Sequence, residues 1–547
     1  MLITNQRLAA FGIFCASFMM FTLGLHTKEI IGFDSRFYLF ALEMHAHGFS
    51  WFPTTYQKPY PDYLGTPIAF ICFFAWLLGG LNKLVAVLPT AISAAITLLF
   101  TFLIGALQHR RWGLYAVFFA FMTMIFFQSA RSISLDMQLT MITTICFYLL
   151  YAADIRHQAI PIAWLIVLLM VGFSVRGPIG LIIPAGVICI YYLLDKNIKN
   201  FFLLGGLALL LLVLCCAVLL FLAYQTGGMS FLQDVLHMEV VGRINNIYLS
   251  RYFYFTNSLS NYSISMPLMW LVIGGIFYYK LTTHYHSAET RLLIKLFGWV
   301  MIIMIGMSIP GDKKTRYILP IVPAAALIAS YVFFAPKNQL YFACLRKILN
   351  IIFLYIPFLF LILLISAFLY AKHHALILSV PFLFLSALLF VLQLFNFLCH
   401  FKEERRKESL RLAVAACCFA LIYINLIEPI EIYQNQSLAF VRQIESLRAQ
   451  QHAALVFYKE RPDGLPIKYL INMQNLRYPI FIKRTQDILT IQKPAFFITS
   501  ESYFNALPVE IRNKVSVITK NKLGHVPVVV FSRWRETKMK EIKKHGQ

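Results

Sequence analysis

Long apolar segments recur along most of this chain, and short polar stretches separate them. A run of about 20 apolar residues is long enough to cross the hydrocarbon core of a bilayer as an α-helix. The pattern therefore predicts a polytopic α-helical membrane protein with about 13 transmembrane helices. The predicted spans are residues 8–25, 88–107, 113–129, 137–153, 159–175, 178–194, 201–223, 262–279, 292–309, 317–335, 348–370, 375–399 and 411–428.

The apolar pattern ends near residue 429, where short β-rich runs begin to alternate with amphipathic helical stretches. Strands are expected at 454–458, 495–499 and 526–531, and helices at 437–449 and 503–513. Alternation at this spacing predicts a small soluble α/β domain over 429–547, after a membrane domain over 1–428. A basic tail at 538–544 ends the domain. We expect the domain to act as a structural cap, or alternatively in docking or in gating of the substrate.

Composition supports the membrane assignment. Of the 547 residues 59% are hydrophobic and 13% are charged, and the mean hydropathy is +0.70, whereas a soluble domain carries about 25% charged residues. The net charge of +24 fits cations next to anionic lipid better than nucleic-acid binding, because the chain is largely apolar. The ten cysteines include no Cys-x-x-Cys pair, so neither a zinc site nor a disulfide framework is indicated.

The basic loops set the predicted orientation, because lysine and arginine are retained on the cytoplasmic side. They fall between alternate spans, at Arg110-Arg111, Arg156, Lys196 with Lys199, Lys280 with Arg291, Arg346-Lys347 and Lys402 to Arg411. A cytoplasmic N-terminus, with residues 8–25 as a retained first span, then gives two long external loops, at about 26–87 and 224–261. The apolar stretch 63–81 is expected to lie along the outer face, since counting it as a span would invert every later basic loop.

Several cations fall on the outer side, where orientation does not explain them: Arg36, Lys58, Arg131, Arg176, Arg243, Arg251, Lys313, Lys314 and Arg316. Each abuts the end of a span, so snorkelling explains any one of them as well as function does. The set is more informative, because four short patterns repeat a cation beside glycine, proline or a carboxylate: 34–36, 130–136, 176–180 and 311–320. One face with carboxylates and many cations suits transfer of a group from a phospholipid carrier.

These segments resemble motifs of the bacterial lipid-linked sugar transferases in the protein O-mannosyltransferase superfamily, which includes the aminoarabinose transferase acting on lipid A. Asp34 to Tyr38 is similar to the family's Asp-Glu-x-x-Tyr element, and Gln57-Lys58-Pro59-Tyr60 is similar to its Glu-Lys-Pro-Pro element. The Ala-Arg...Asp, Lys-Gly-Pro and Lys-x-x-Arg-Tyr-x-Leu-Pro patterns are matched at 130–136, 176–178 and 313–320. The motifs cover roughly the first 330 residues.

The resemblance implies a GT-C fold and inverting transfer of a hexosyl or pentosyl group from a polyprenyl-phosphate donor at the outer face. Asp34 would orient or deprotonate the acceptor, and cations would stabilise the leaving phosphate. Asp136 is expected to orient Arg131 or to cap a helix. The expected catalytic residues are Asp34, Lys58 and Arg36; the expected donor-phosphate residues are Arg131, Arg176, Lys313, Lys314, Arg316 and Tyr317; the expected acceptor and loop residues are Tyr38, Tyr56, Asp136, Glu239 and Arg243.

Two departures from the family bear on metal binding. Gln57 replaces the glutamate of the lysine motif, and the second loop reads Glu239-Val240-Val241-Gly242-Arg243 without the family's histidine. We therefore expect no metal at that place, no other cofactor and a monomer.

Three functions are compatible with the sequence. The favoured one is an enzyme of the bacterial inner membrane that transfers a sugar to lipid A, lipopolysaccharide or another envelope glycolipid on the periplasmic side. A transferase acting on exported proteins is the alternative with the same chemistry. A transporter or flippase fits less well, because the charges gather at helix ends and no inverted repeat is evident.

Overall fold

The structure is a computed structural model that describes residues 2–26, 29–31, 34–241, 250–283, 288–336, 338–373, 381–399, 404–435, 437–473 and 476–533. In these residues, seven helices are long and apolar enough to cross a membrane, or nine if each of two sharply bent helix pairs counts as one span. Five shorter apolar helices accompany them. The protein is thus a multi-pass helical membrane protein, while the count of 13 spans stays a prediction.

The first half of the chain forms ten helices and a small hairpin. Its elements are α1 (Leu2–Thr22), α2 (Asp34–His47), β1 (Thr54–Thr55), β2 (Lys58–Pro59), α3 (Thr66–Leu77), α4 (Lys83–Ala106), α5 (Arg110–Phe121), α6 (Met124–Ala130), α7 (Leu135–Ile155), α8 (Ile162–Arg176), α9 (Pro178–Leu194), α10 (Ile198–Leu236) and a π-helical turn (His237–Val241).

The next part is again helical. Its elements are α11 (Phe253–Asn261), α12 (Ser265–Thr283), α13 (Ala288–Ser308), a 3₁₀ helix (Thr315–Ile321), α14 (Val322–Ser330), a 3₁₀ turn (Tyr331–Phe333), α15 (Leu340–His373), α16 (Phe382–Leu398), α17 (Glu404–Ile422), a π-helical turn (Tyr423–Ile427) and α18 (Glu428–Asn435). Helical structure runs from α17 into α18 across residue 429, so the division into domains at that point stays a prediction.

Burial separates inner from lipid-facing helices. Of the most apolar window in Thr315–Phe333, 89% of residues are buried, whereas the corresponding share in the long α10 segment is 17%. The segment Thr315–Phe333 therefore lies inside the bundle, and α10 presents most of its apolar side chains outward, as a helix facing lipid does.

Helix α3 lies within the stretch 63–81 that was expected along the outer face. It has 12 residues, too few for a bilayer crossing at 1.5 Å per residue. Phe70, Phe73 and Trp76 are exposed on it. An apolar helix with exposed aromatic side chains suits the membrane interface.

Two sharp bends occur next to each other. Helices α5 and α6 meet at 77°, and α11 and the following helix meet at 112°. The Thr123 and Ser265 hydroxyl oxygens lie 2.7 Å apart at these two bends, and the Met124 N–H donates to the Ser263 carbonyl. Each bend thus satisfies polar groups of the other, as buried backbone requires.

Helices α8 and α9 are in direct backbone contact at Gly172 and Gly180. A β-carbon at either glycine would collide with the carbonyl oxygen of the other. Small residues permit such close approach of membrane helices. Between the two helices, Gly177 takes φ of +62°, a conformation that glycine adopts without steric cost.

The C-terminal part forms a five-stranded sheet with helices on both faces. Its elements are α19 (Leu438–Gln451), β3 (Ala454–Tyr458), α20 (Leu465–Leu470), β4 (Ile480–Ile482), α21 (Asp487–Thr490), β5 (Ala495–Ser500), α22 (Glu501–Asn505), α23 (Val509–Arg512), β6 (Ser516–Leu523) and β7 (Val526–Ser532). The strand order is β4-β3-β5-β7-β6; β3 pairs in parallel with β4 and β5, and β7 is antiparallel to β5 and β6. The predicted small α/β region is confirmed.

Both faces of this sheet are buried. Phe457 and Phe496 pack with α19 and α20 on one face, while Val456 and Phe497 pack with α21 and α22 on the other. Continuous apolar strands are typical of a sheet that is covered on both sides.

Candidate functional site

Four charged residues from four parts of the chain line one small cavity of about 40 Å³: Asp34, Asp136, Arg176 and Arg316. Asp34 begins α2, Asp136 lies in the first turn of α7, Arg176 ends α8, and Arg316 lies in the 3₁₀ helix before α14. Helix ends that meet on one side of the bundle therefore bring these charges together. Such a cavity holds one or two waters, so a sugar must move a side chain in order to enter.

Asp136 is held by two arginines. The Nε of Arg176 lies 3.0 Å from its Oδ1, and the Nε of Arg316 lies 3.2 Å from its Oδ2. The Ser134 hydroxyl accepts the N–H of Met137 and caps the helix, so the carboxylate also sits at the positive end of the helix dipole. Asp136 was expected to orient Arg131 or to cap a helix, but Arg131 pairs with Glu428. Asp136 instead orients the two cations that face the cavity.

Arg176 is buried between two aromatic rings. Its guanidinium carbon lies 5.5 Å from the ring centre of Tyr63 and 5.2 Å from that of Tyr317. Burial raises the pKa of Tyr63 above its ordinary value, although the nearby Arg176 acts in the opposite direction. The Tyr63 phenol is therefore neutral near pH 7 and serves as a packing surface for the cation rather than as a base.

Asp34 lines the cavity from the other side. Its Oδ2 accepts a hydrogen bond from the N–H of Ile133 at 3.0 Å, within the loop that links α6 to α7. The carboxylate is thus anchored by backbone and directed to the same space as Arg316, which is 25% exposed. The expectation that Asp34 belongs to the site remains a prediction, and this geometry is compatible with it.

Lys313 and Lys314 are adjacent but differ in their surroundings. The Lys314 ammonium is 3.6 Å from the carboxylate of Asp312 and its side chain is 44% exposed. Lys313 is 6% exposed, and among the described residues no carboxylate lies within ion-pair distance of it. A buried cation without a protein anion is costly, so Lys313 is the better candidate for an anionic ligand.

The segment expected as the second external loop, about 224–261, reaches this region through Glu239, which lies in the π-helical turn after α10. Both of its carboxylate oxygens lie next to Gly177, where a β-carbon would be 3.4 Å from each. Because Gly177 directly follows Arg176, Glu239 adds a carboxylate beside the arginine cluster, which consists of Arg176 and Arg316. Arg243, expected in the same loop, lies outside the described residues.

Arg131 has a structural position. Its Nε and one terminal nitrogen each lie 2.8 Å from a carboxylate oxygen of Glu428, and the other terminal nitrogen donates to the carbonyls of Met20 and Phe21. All three nitrogens are therefore used within the protein, and the side chain is fully buried. These contacts favour a structural role for Arg131, and its expected role in binding donor phosphate stays a prediction.

Arg36 and Tyr56 bind the C-terminal region rather than the cavity. Arg36 donates to the Tyr60 hydroxyl at 2.8 Å and to the carbonyl of Asp463, and the Tyr56 hydroxyl donates to the carbonyl of Pro462 at 2.6 Å. Burial raises the pKa of Tyr60 to about 12, with Arg36 acting against it. The expected catalytic role of Arg36 is thus not supported: it fastens the first external loop to the segment before α20.

Lys58 and Tyr38 also lie away from the cavity. Lys58 is exposed on the β1–β2 hairpin and does not line the cavity, while Tyr38 is buried in an apolar cluster with Phe37 and Ile68. Tyr317 is the one aromatic residue of the expected set that contacts the arginine cluster, and its hydroxyl donates to Asp312.

Sequence reasoning missed three residues that position this region: Glu43, Tyr63 and Glu428. The two glutamates had a usable signal, because a carboxylate inside an apolar segment needs a partner. Glu43 interrupts the apolar run of α2, and Glu428 ends the last predicted span. Tyr63 carried no comparable signal in the sequence.

The described residues contain no group of three or more His, Cys, Asp or Glu side chains that could hold a metal ion. The expectation of no metal and no other cofactor remains a prediction.

The sequence matches no family profile and no curated protein. Two solved structures match over nearly the whole length. ArnT from Cupriavidus metallidurans in the apo state has a TM-score of 0.70 at 13% identity, covering 98% of this chain and 99% of that chain. The same protein bound to undecaprenyl phosphate has a TM-score of 0.66 at 14% identity, covering 98% of each chain. The shared architecture confirms the expected GT-C fold.

Proposed function

We propose that this chain is an integral membrane glycosyltransferase that moves a sugar from a polyprenyl-phosphate donor to lipid A, lipopolysaccharide or another envelope glycolipid. The observation that carries the proposal is the cavity where Asp34 faces Arg176 and Arg316, with Lys313 on the adjoining segment. It is supported by the likeness to a fold that has been solved with undecaprenyl phosphate bound, and we place the site on the periplasmic side of the inner membrane.

The donor phosphate would bind next to Lys313 and Arg316. As the glycosidic bond breaks, negative charge grows on the departing phosphate, and fixed cations stabilise that charge in a site of low dielectric constant. Arg316 pairs with Asp136, which also binds Arg176, and its side chain is partly exposed. It can therefore turn toward an arriving phosphate. Arg176 keeps Asp136 neutralised during this change.

Asp34 would act on the acceptor. Its carboxylate orients an acceptor hydroxyl and accepts the proton as the new bond forms on the opposite face of the anomeric carbon, which inverts the configuration. When the acceptor is a phosphate, it is already anionic and Asp34 only positions it. The Tyr63 phenol stays protonated near pH 7 because its pKa is raised, so it cannot accept a proton. Asp136 is paired with Arg176 and Arg316, which leaves Asp34 as the base of this cavity.

The proposal is tested with purified protein, a panel of polyprenyl-phosphate sugars and both lipid and polypeptide acceptors. We expect a labelled glycolipid from the wild type and at least about a hundredfold slower transfer for Asp34→Asn. Asp487→Asn, a carboxylate change in the C-terminal sheet region, is the matched control and should transfer at the wild-type rate. Near-normal transfer by a folded Asp34→Asn protein would refute the mechanism.

The acceptor class is decided by the same panel. Label found only on polypeptide would exclude the glycolipid acceptor and favour an enzyme of exported proteins. Donor movement between leaflets without any transfer would identify a flippase. Mass spectrometry of envelope lipids from cells with and without the protein identifies the sugar and the acceptor from the mass difference.

A further inference from the structure

A second and larger cavity, of about 760 Å³, lies at the other end of the bundle. The segment Thr315–Phe333 begins beside Arg316 at the Asp34 cavity and ends at Phe333, which lines this second cavity. Nineteen residues of helix span roughly 30 Å, about the thickness of a bilayer core. The two cavities therefore open toward opposite leaflets.

The lining of the second cavity is strongly basic. Five of its residues are arginine or lysine: Arg111, Arg346, Lys347, Lys407 and Arg411. Glu408 is the one carboxylate among the described lining residues. The balance of charge thus favours an anion in this space.

Three of these cations lack a carboxylate partner in the part of the chain that the structure describes. Within the described part of the chain, Arg111, Lys347 and Lys407 have no carboxylate within ion-pair distance. Arg346 is different, since it donates to the backbone carbonyls of Val332 and Ala335. Cations from α5, α15 and α17 therefore converge on one space and leave their charge available to a ligand.

The cavity also opens toward lipid. Ile351 lines it and is 50% exposed on the outer surface of α15, beside the exposed Ile348. Phe333, Phe334 and Leu354 supply apolar walls. An anion held here thus lies beside a lipid-facing helix surface, where acyl chains attached to it can pack.

We propose that this cavity binds the phosphate headgroup of an anionic phospholipid from the leaflet opposite the Asp34 cavity. Its volume lies in the range of ordinary ligand pockets, and basic pockets between membrane helices are the usual sites for such headgroups. The cations supply the charge, and the opening beside Ile351 distinguishes a membrane lipid from a free phosphate ion.

The test compares two variants with the same loss of charge. The first combines Arg111→Gln, Lys347→Gln and Lys407→Gln; the control combines Arg156→Gln, Lys196→Gln and Lys199→Gln, which are exposed basic residues outside the cavity. Native mass spectrometry of the delipidated full chain measures binding of phosphatidylglycerol and cardiolipin, with phosphatidylethanolamine, a zwitterion without net charge, as the reference. We expect binding of the anionic lipids to weaken about a hundredfold in the first variant and to be unchanged in the control.

Equal weakening in both triple variants would show a diffuse charge effect and overturn the proposal, as would unchanged binding in the first. Inorganic phosphate is added as a competitor: displacement of the lipid by millimolar phosphate would identify a free-anion site instead, and retention of the lipid supports the proposal. If the triple variant does not fold, the exposed Lys347→Gln change alone should still weaken binding about fivefold, and no change in that variant would likewise overturn the proposal.

Discussion

At the scale of single residues, two neighbouring lysines lie in opposite surroundings. Lys313 is buried without an ion-pair partner among the described residues, whereas Lys314 is half-exposed and lies beside Asp312. Burial of a cation without a carboxylate partner raises the free energy of the protein, and binding of an anionic ligand removes this cost. This contrast gives a matched pair of variants within two positions of the chain.

We expect Lys313→Gln to lower kcat/KM for transfer by about a hundredfold, the effect of removing one preorganised charge from a transition state. The melting temperature should stay constant or rise, because no protein partner is lost. Lys314→Gln should change kcat/KM by less than about threefold, since an exposed pair contributes little. Steady-state kinetics and thermal unfolding of both proteins in detergent provide the measurements, and equal activity of the two variants would rule out this role for Lys313.

The buried pair of Arg131 with Glu428 should act on stability. Arg131→Met leaves the Glu428 carboxylate buried without its partner, so we expect the free energy of unfolding to fall by about 3–5 kcal/mol. The double variant with Glu428→Gln should lose less than the sum of the single changes. Thermal unfolding measures this, with the exposed Lys520–Glu501 pair as control. Additive losses at 131 and 428 would contradict the coupling.

Residue patterns in the sequence identified the charged residues of the cavity, but not the aromatic and apolar residues packed around them. Asp34, Asp136, Arg176 and Arg316 were all singled out, because each pairs a charge with the end of an apolar segment. Arg131 met the same criterion, yet its partner Glu428 lies 297 residues away along the chain. The sequence shows that a cation lies at the end of a helix, but not which way its side chain points. Only the fold distinguishes Arg131, which faces Glu428, from Arg176 and Arg316, which face the cavity.

At the scale of elements, the first external loop is shaped by one buried carboxylate. Glu43 of α2 is fully buried and accepts the N–H groups of Tyr56 at 2.6 Å and Gln57 at 3.1 Å. Both of these residues have positive φ, 55° and 62°, a conformation that is unfavourable for non-glycine residues. The two hydrogen bonds hold the turn of the β1–β2 hairpin in this conformation.

We expect Glu43→Gln to loosen the hairpin, because the amide offers one acceptor oxygen in place of two. Hydrogen exchange at the amides of Tyr56 and Gln57 should become at least about tenfold faster, the effect of weakening one hydrogen bond to a charged group. Glu460→Gln is the control, since Glu460 accepts the N–H of Ser500 in the C-terminal sheet region. Unaltered protection of the turn would show that Glu43 does not hold it.

Elements that contain a continuous apolar run were predictable from the sequence, whereas short or polar elements were not. The three strands expected at 454–458, 495–499 and 526–531 are present as β3, β5 and β7, because each is a continuous apolar run. The polar edge strand β6 and the three-residue β4 were missed, since neither shows such a run. The helix expected at 503–513 is divided into α22 and α23. Pro508 lies between them and interrupts the helix, because proline lacks the N–H donor and its ring clashes with the preceding turn.

At the scale of the whole molecule, charge is divided between two faces. One face carries the Asp34 cavity, and the other carries the basic cavity and the cations that predicted orientation. By the positive-inside rule we expect the second face to be cytoplasmic and the first to be periplasmic. This layout stays a prediction from the alternating basic loops, in which orientation depends on net counts rather than on single contacts.

Cysteine labelling tests this orientation. In a protein whose native cysteines are replaced, Gln57→Cys should react with a membrane-impermeant maleimide in intact spheroplasts. Arg156→Cys, on the opposite face, should react only after permeabilisation, because both positions are exposed and differ in side alone. The reverse result would invert the topology and place the Asp34 cavity in the cytoplasm.

The contact between Gly172 and Gly180 also bears on substrate size. Backbone meets backbone there, so α8, the Gly177 turn and α9 form a stiff hairpin that carries Arg176 and fixes one side of the cavity. Arg316, on a 3₁₀ helix and partly exposed, belongs to the side that can adjust. On the proposed function, we therefore expect a bulkier sugar to be accommodated toward residues 311–316, and variation of that segment, rather than of the glycine hairpin, to change the range of donors.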